Sequence, residues 1–252
     1  GGADVMVDWM PSALAAREKG LPLVNIAQPF KSSGMMLTCR KDMGVNTTAD
    51  LKGKTLGVWF YGNEYPFLSW MSRLGLKTDG SADGVTVLKQ GWGVEPLTEG
   101  QAACVSTMSY NEYWVVRDAG YSPEELTVFK YQAEGAATLE DGLYVHEKNM
   151  SDPVFKDKMV RFVRASMKGW KYAEENPREA AMIILDNDDA GVQTEKHQVR
   201  MMGEIAKLTA GSDGALDPAD YERTVKVLMS GASDPVITKK PSGAWTHEIT
   251  NA

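Results

Sequence analysis

Short apolar runs alternate with segments of helical periodicity over the first 146 residues of the chain. The runs that predict β-strands are Ala3–Val7, Leu23–Ala27, Met35–Arg40, Thr55–Trp59, Val85–Lys89, Cys104–Met108, Leu126–Tyr131 and Gly142–His146. The helices predicted between them are Pro11–Lys19, Tyr65–Leu74 and one that runs from the turn at residues 109–114 to Arg117. This alternation indicates an α/β fold, and the spacing within residues 1–30 predicts a parallel β–α–β unit.

The pattern becomes helical from residue 151 onward. The predicted helices are Asp152–Asn176, one that begins at Pro177, Thr194–Leu208 and Pro218–Met229. Asp217 precedes the last of them and is expected to be its N-cap. The tail Gly231–Ala252 is rich in Ser, Pro, Lys and Thr, so we expect it to run over the surface.

A weak internal repeat relates the start of the chain to a segment 100 residues later. The alignment places Val5 on Val105, Arg17 on Arg117 and Gly20 on Gly120. In both copies a strand ends in a polar and aromatic turn that leads into a helix, at residues 8–12 and 109–114. Open α/β sheets bind small ligands at such turns. The repeat therefore predicts two lobes, each of which offers one turn to a ligand between them.

Composition and charge exclude several classes of function. The 252 residues are 43% hydrophobic and 24% charged, as in globular proteins of one or two domains. The net charge is −7 and the chain has no cluster of Lys and Arg, so nucleic-acid binding is not expected. No apolar run is long enough to predict a transmembrane helix.

The cysteines and histidines do not predict a cofactor or metal site. Cys39 and Cys104 lie in predicted strands, and two cysteines are too few for a disulfide framework. Buried free thiols are therefore the preferred interpretation, and a single disulfide is the alternative. The three histidines have no metal-ligand spacing, so no metal is expected.

Known catalytic motifs are absent from the sequence. The chain has no Gly-x-Ser-x-Gly elbow, no Walker loop and no Gly-x-Gly-x-x-Gly turn after a strand. A catalytic set could still be assembled from distant residues, but an enzyme is not the expected class.

Aromatic side chains occur mainly in the turns that follow the predicted strands. Because they do not repeat at helical or strand period, core packing does not readily explain them. Aromatic rings can stack on a flat ligand, and polar neighbours can recognise the donors and acceptors at its edge. The predicted ligand-binding residues are Trp9, Trp59, Tyr61, Asn63, Trp92, Tyr110, Asn111, Glu112 and Asp141.

Structural alternatives exist for these positions. Asn63 could cap the helix that follows it, and Trp92 could anchor its loop. Glu112 could stabilise a helix N-terminus. Trp9 could pack between lobes, and Asp141 could be a solvated charge. Core packing is instead predicted for two tryptophans at helical spacing among apolar residues, Trp70 and Trp170.

Four segments together resemble one protein family. They are Leu51–Val58, Gly100–Ala103, Tyr110–Glu112 and Gly169–Ala180. Over nearly the whole chain the sequence resembles solute-binding proteins of bacterial ABC importers, in the branch that binds pyrimidine precursors of thiamine. The Tyr-Asn-Glu turn together with the Gly-Trp-Lys-Tyr-Ala helix is the more specific part of this resemblance.

The resemblance implies an α/β fold of the two-lobe periplasmic-binding-protein type II (venus flytrap). Lobe 1 is expected to comprise residues 1–33 and 142–252, and lobe 2 residues 34–141. The family has a further strand–helix–strand unit before the position of Gly1, so this N-terminal β–α–β unit is expected to be missing. The resemblance also implies a monomer in the periplasm or attached to the cell surface as a lipoprotein, with the membrane permease of an ABC transporter as its partner.

The ligand expected from these residues is a small, flat nitrogen heterocycle such as a thiamine-precursor pyrimidine. The candidate turns contain Asp8, Glu64 and Glu112 and no arginine, which favours a neutral or cationic ligand over a sulfonate. The alternative from another class is a pyrimidine-synthesising or pyrimidine-converting enzyme of the same superfamily. The cysteine-rich motif of the fungal pyrimidine synthases is absent, which argues against that alternative.

Overall fold

The computed structural model describes residues 2–230 and 235–252; Gly1 and residues 231–234, where the predicted tail begins, lie outside the described residues. Contacts within the chain define two units. Unit 1 comprises Gly1–Ser33, Thr138–Val225 and Lys239–Ala252, and unit 2 comprises Gly34–Ala137 and Lys226–Thr238. Compared with the predicted lobes, this division assigns residues 138–141 to unit 1 and Lys226–Thr238 to unit 2.

Hydrogen bonds explain why the chain returns from unit 2 to unit 1 at Thr138. The backbone N–H of Leu139 donates to Thr224 Oγ1 at 2.9 Å. The carbonyl of Leu139 accepts from the N–H of Met10 at 3.2 Å. Both partners belong to unit 1, so the chain joins unit 1 before the last strand begins.

The observed elements follow the predicted ones to within a few residues at their ends. The strands are β1 (Met6–Trp9), β2 (Leu23–Ala27), β3 (Met35–Arg40), β4 (Thr55–Val58), β5 (Thr86–Lys89), β6 (Cys104–Met108), β7 (Leu126–Lys130) and β8 (Asp141–His146). The helices are α1 (Met10–Glu18), α2 (Glu64–Arg73), α3 (Glu95–Thr98), α4 (Glu112–Asp118), α5 (Pro153–Glu175), α6 (Pro177–Asp186), α7 (Glu195–Thr209) and α8 (Pro218–Met229). The short helix α3 was not predicted from the sequence.

The sheet of unit 1 has the strand order β1-β8-β2, and β8 is antiparallel to both of its neighbours. The predicted parallel pairing of the first two strands is therefore wrong. A crossover helix makes the strands that it joins run in the same direction, but it does not make them neighbours. The apolar strand β8 lies between them and buries Tyr144 and Val145.

Helices α1 and α5 contribute to the apolar clusters of unit 1. Phe155, Met159 and Val163 repeat every four residues along α5 and pack in one cluster with Leu143 and Val145 of β8. Ala13 of α1 lies in a second cluster, with Leu23 and Tyr144. The three-stranded sheet therefore has apolar neighbours from more than one helix, which is why every residue of β2 is buried.

Three further predictions concern the helices and tail of unit 1. Asp217 Oδ1 accepts from the N–H of Ala219 at 2.7 Å, which confirms it as a capping residue. Trp170 is only half-buried, with its ring edge against Phe30 at 5.4 Å, so it is less buried than predicted. The described part of the tail includes a single parallel bridge between Trp245 and Asn25 of β2.

The sheet of unit 2 has the strand order β5-β4-β6-β3-β7. Strand β4 is parallel to β5 and β6, whereas β3 is antiparallel to β6 and β7. The carboxyl ends of β4, β5 and β6 therefore meet on one side of the sheet. Helix α2 buries Phe67, Trp70 and Met71, spaced three and four residues apart, and the predicted core position of Trp70 is confirmed.

Cys39 and Cys104 form a disulfide between β3 and β6, with an S–S distance of 2.06 Å. The preferred interpretation of two free thiols is wrong, and the alternative is correct. The cysteines are 65 residues apart in sequence but directly opposite in the antiparallel pair. Strand register brings them together, and spacing along the sequence does not reveal register.

Among the described residues, no helix has the length and hydropathy needed to cross a membrane.

Candidate functional site

Three turns of unit 2 follow the carboxyl ends of parallel strands and lie on one side of its sheet. They comprise residues 59–63 after β4, 90–93 after β5 and 109–112 after β6, and we call them the turn cluster. The turn cluster contains seven of the predicted ligand-binding residues, Trp59, Tyr61, Asn63, Trp92, Tyr110, Asn111 and Glu112. Small ligands bind at this position in open α/β sheets, although ligand contact by these residues remains a prediction.

Glu112 organises the turn after β6. Its Oε2 accepts from the N–H of Met108 at 2.9 Å, and its Oε1 accepts from Asn111 Nδ2 at 2.7 Å. The residue is 9% exposed, and burial raises the pKa of its carboxyl while these hydrogen bonds oppose the rise. A carboxylate can accept about four hydrogen bonds, so a ligand donor can be added to this set.

Two further hydrogen bonds, both to backbone groups of Ser109, hold the same turn in place. The N–H of Ser109 donates to the carbonyl of Gly34 at 2.8 Å, where β3 is about to begin. The indole N–H of Trp114 donates to the carbonyl of Ser109 at 3.0 Å. Trp114 therefore closes the turn from the first helical turn of α4.

The turn after β4 holds Tyr61 in an unfavourable backbone conformation. Its φ is 66°, and among the described residues it is the only non-glycine residue with positive φ. Its ring is 87% exposed, and Lys89 Nζ lies 4.7 Å from the ring centroid. A left-handed tyrosine costs about 1–3 kcal/mol, and such strain is concentrated at functional sites.

Asn63 does not cap the helix that follows it. It occupies the N-cap position of α2, but its side chain caps no helix N–H. Its Nδ2 instead donates to the carbonyl of Phe60 at 3.0 Å, across the turn. Asn63 therefore stabilises the turn that carries Tyr61, and its Oδ1 faces no capping partner in α2.

The two tryptophans of the turn cluster differ in burial. Trp59 is half-buried, and its indole N–H donates to the carbonyl of Gly91 at 2.9 Å, which joins the turns after β4 and β5. Trp92 is 94% exposed, so its ring does not anchor the loop as the structural alternative supposed. A tryptophan this exposed, in a turn at the carboxyl end of a parallel strand, is available for contact with a ligand.

The remaining two predicted residues, Trp9 and Asp141, are directly opposite each other in the β1–β8 pair of unit 1. Burial raises the pKa of Asp141, the hydrogen bond from the Trp9 side chain opposes the rise, and the nearby charge of Asp8 adds to it. Burial also raises the pKa of Asp8, whose Oδ1 accepts from the N–H of Trp9 at 2.8 Å. Unit 1 thus places an indole ring beside two partly desolvated carboxyl groups.

The sequence pattern did not reveal two buried glutamines, one in each unit. Gln28 is fully buried and Gln90 is 5% exposed. Each directly follows an apolar strand, where a polar residue reads as the start of a loop. The available signal was the glycine on a neighbouring strand, Gly142 or Gly57, which leaves room for a side chain to cross. Among the described residues, no group of three or more His, Cys, Asp and Glu side chains could hold a metal ion.

Solved structures show the class of fold. The periplasmic aliphatic sulphonate-binding protein SsuA of Escherichia coli is 13% identical, with a TM-score of 0.66 over 92% of this chain and 70% of SsuA. The desulfurization enzyme DszB is 14% identical, with a TM-score of 0.65 over 99% of this chain and 85% of the enzyme. At these identities the likeness concerns the fold, which is that of the two-lobe periplasmic binding proteins.

The family is shown by the sequence. Residues 1–180 match the family model described as NMT1/THI5 like, so the chain belongs to the NMT1/THI5-like family. A formylaminopyrimidine-binding protein of Halalkalibacterium halodurans is 24% identical over 240 residues, which cover 90% of this chain and 69% of that protein. The predicted resemblance to the pyrimidine-precursor branch is thereby confirmed at the level of the family.

Proposed function

We propose that the protein is the solute-binding protein of an ABC importer and that it captures a small, flat nitrogen heterocycle for delivery to a membrane permease. A thiamine-precursor pyrimidine or a similar compound is the proposed ligand. The observation that carries the proposal is the turn cluster, which gathers aromatic rings and a buried carboxyl group at the carboxyl ends of parallel strands. The similarity to a formylaminopyrimidine-binding protein supports the ligand class.

The chemistry of both units suits an aminopyrimidine. Rings such as Trp59, Tyr61 and Trp92 can stack on a heterocycle, and each good aromatic stack contributes about 0.5–1.5 kcal/mol beyond burial. The carboxyl groups of Glu112 and Asp141 can accept hydrogen bonds from an exocyclic amino group. In this proposal, stacking provides most of the affinity, and the carboxyl groups select ligands that carry N–H donors.

Lys89, the last residue of β5, adjoins the turn cluster and favours a different ligand. Its ammonium group lies over the ring of Tyr61 and donates to the Tyr61 hydroxyl at 3.3 Å. An anion such as a sulfonate could pair with it. A ligand panel should therefore include a sulfonate beside the pyrimidines.

The disulfide supports the proposed location outside the cytoplasm. Disulfides form and persist in oxidising compartments such as the bacterial periplasm and the cell surface. The Cys39–Cys104 bond lies in the centre of the unit 2 sheet and both residues are fully buried. We therefore propose that the protein is located in the periplasm or at the cell surface. As part of the same proposal, it acts as a monomer.

Ligand titration tests the function. The purified protein is analysed by native mass spectrometry for a carried-over ligand and then titrated with a panel of aminopyrimidines, a flavin, an aliphatic sulfonate and amines. We expect a saturable change in tryptophan fluorescence with an aminopyrimidine. The variants Tyr110→Ala and Trp9→Ala should each raise Kd about tenfold or more.

A matched control removes an aromatic feature far from the turn cluster in sequence. Tyr172 lies on α5, is 43% exposed and contacts Glu179, so Tyr172→Ala should leave Kd unchanged. If no heterocycle of the panel binds, the proposal is refuted. If the sulfonate alone binds tightly, the ligand class is a sulfonate and not a nitrogen heterocycle.

An enzyme that acts on a pyrimidine is the second candidate. The likeness in fold to the desulfurization enzyme DszB is the observation that favours it. Incubation with a bound pyrimidine followed by mass spectrometry separates the two candidates. We expect an unchanged ligand mass, whereas a new mass that accumulates with time would establish catalysis.

A further inference from the structure

Gln90 spans one strand of the unit 2 sheet with its side chain. Its Nε2 donates to the carbonyl of Ser106 at 2.9 Å and to the carbonyl of Gly93 at 3.2 Å. Its Oε1 accepts from the N–H of Ser106 at 2.9 Å. Gln90 follows β5 and Ser106 lies in β6, and β4 lies between these strands. A single amide therefore replaces the backbone partner that Ser106 lacks beyond the end of the β4–β6 pairing.

Gly57 of β4 leaves the space through which the side chain passes. A Cβ at this position would lie 3.2 Å from Gln90 Oε1 and 2.9 Å from Val105 Cγ1. The second distance is shorter than real Cβ contacts, so any larger residue would displace a neighbour. Because Gly57 has no side chain, the amide of Gln90 fits against it. We call this arrangement a glutamine–glycine pair.

A second glutamine–glycine pair occurs in unit 1. Gln28 follows β2, and its Nε2 donates to the carbonyls of Glu140 at 2.9 Å and Asp141 at 3.1 Å. Its Oε1 accepts from Asn25 Nδ2 at 3.0 Å. A Cβ on Gly142 would lie 2.5 Å from Gln28 Oε1. A buried glutamine and a glycine on the neighbouring strand again replace backbone pairing where the β2–β8 register shifts.

The groups that these amides hold belong to the proposed binding residues or adjoin them. Gln90 fixes Gly93, which follows Trp92, and β6, which ends in the turn of Glu112. Gln28 fixes the backbone of Asp141. We propose that Gln28 and Gln90 are positioning residues that hold the ligand-facing side chains of their units, an inference that rests on the proposed function for its ligand.

Physical chemistry favours glutamine for this role. A planar amide offers two N–H donors and one carbonyl acceptor, so it can hold three backbone groups at fixed distances. An apolar residue of similar size would leave those groups buried and unsatisfied. Binding sites keep their geometry when hydrogen bonds from residues behind the site lock the segments that carry the contacting residues.

The test compares two buried glutamines. Gln90→Met removes the bridging amide, and Gln198→Met removes the amide of a glutamine in α7 that is 4% exposed and donates to Gln193 Oε1. The first readout needs no ligand. The indole N–H resonance of Trp59, assigned with Trp59→Phe, reports the hydrogen bond to Gly91 in the loop that Gln90 holds. We expect this resonance to shift in Gln90→Met and to stay in place in Gln198→Met.

The second readout is affinity for 4-aminopyrimidine, measured by calorimetry. Gln90→Met should raise Kd about tenfold, which corresponds to about 1.4 kcal/mol. Gln198→Met should lower stability and leave Kd unchanged. A folded Gln90→Met protein with the wild-type Trp59 resonance and wild-type Kd would overturn the inference. Gln28→Met is treated in the same way, with the Trp9 indole resonance as its reporter.

A third measurement covers variants that do not fold. In the wild-type protein, the side-chain N–H resonances of Gln90 should exchange slowly with solvent and shift when 4-aminopyrimidine saturates the site. Exchange as fast as that of an exposed glutamine contradicts the positioning role. If 4-aminopyrimidine and the wider panel do not bind at all, the proposed function fails, while the Trp59 resonance still decides the role of Gln90.

Discussion

Trp9 and Asp141 occupy directly opposite positions in the antiparallel pair β1–β8. The pair combines a ring face with a hydrogen-bond acceptor on one short stretch of sheet. Neither residue is close to the other in sequence, so the pairing of β8 with β1 creates this combination.

Asp141→Asn is expected to stabilise the protein at neutral pH and to weaken ligand binding. Burial and the charge of Asp8 raise the folded-state pKa of Asp141 above its unfolded value, so the ionised group destabilises the fold at pH 7. This penalty shrinks as the pH falls through the raised pKa and vanishes below the unfolded value of about 3.9. Urea unfolding at pH 7 and pH 4 should show a gain that narrows at the lower pH.

Asp189→Asn, at an exposed position, is the control and should change neither stability nor affinity. An Asp141→Asn protein that is less stable than wild type at pH 7 would show that the carboxylate is stabilising in its place.

Glu112 should make ligand affinity depend on pH. A heterocycle that donates to Glu112 needs the ionised carboxyl group, and burial raises the pKa of that group. Affinity for an aminopyrimidine should therefore fall as the pH is lowered through the raised pKa, at a pH where an exposed glutamate is still ionised. Calorimetric titrations between pH 7.5 and pH 5 measure the profile.

Glu112→Gln provides the comparison for that profile. Its amide cannot accept from both Met108 N–H and Asn111 Nδ2, so we expect a loss of about 1–3 kcal/mol in stability and a flat dependence of affinity on pH. An equally steep profile in Glu112→Gln would assign the titration to another group, such as the ligand itself.

Removal of the disulfide should lower stability without unfolding the protein. The bond links residues 65 positions apart, and closing a loop of that length stabilises a fold by about 2–4 kcal/mol. The double variant Cys39→Ala/Cys104→Ala should show this loss in guanidinium unfolding. A reductant should destabilise wild type under unfolding conditions and have no effect on the double variant, and a reductant effect on both proteins would point to a different cause.

Tyr61→Gly should raise the stability of the protein and lower its affinity for the ligand. Glycine adopts positive φ without steric cost, so relief of strain at this position is expected to raise the free energy of unfolding by up to about 1 kcal/mol. The same change removes a ring that is 87% exposed and is predicted to stack on the ligand, so affinity should fall. Tyr61→Phe keeps the strained backbone and should gain no stability. Higher affinity in Tyr61→Gly would exclude the ring from the binding surface.

Local physical chemistry made much of the chain predictable. Apolar runs located the strands, and helical spacing placed Trp70 in the core, where it is 1% exposed. Asp217 was identified as a cap because capping depends on the adjacent helix alone. The aromatic turns were found because each directly follows a strand. Features that depend on a few neighbouring residues are encoded where they occur.

Long-range pairing decided the rest. The sequence located β8 but could not show that it lies between β1 and β2, because a strand's partners are chosen by tertiary packing. The disulfide between Cys39 and Cys104 followed from strand register. Gln28 and Gln90 looked like loop residues until the neighbouring strands were in place. By itself the sequence determined which segments form strands, helices and turns, and only the tertiary structure decided which of them meet, because hydrogen-bond partners across a sheet are set by contacts between residues far apart in the chain.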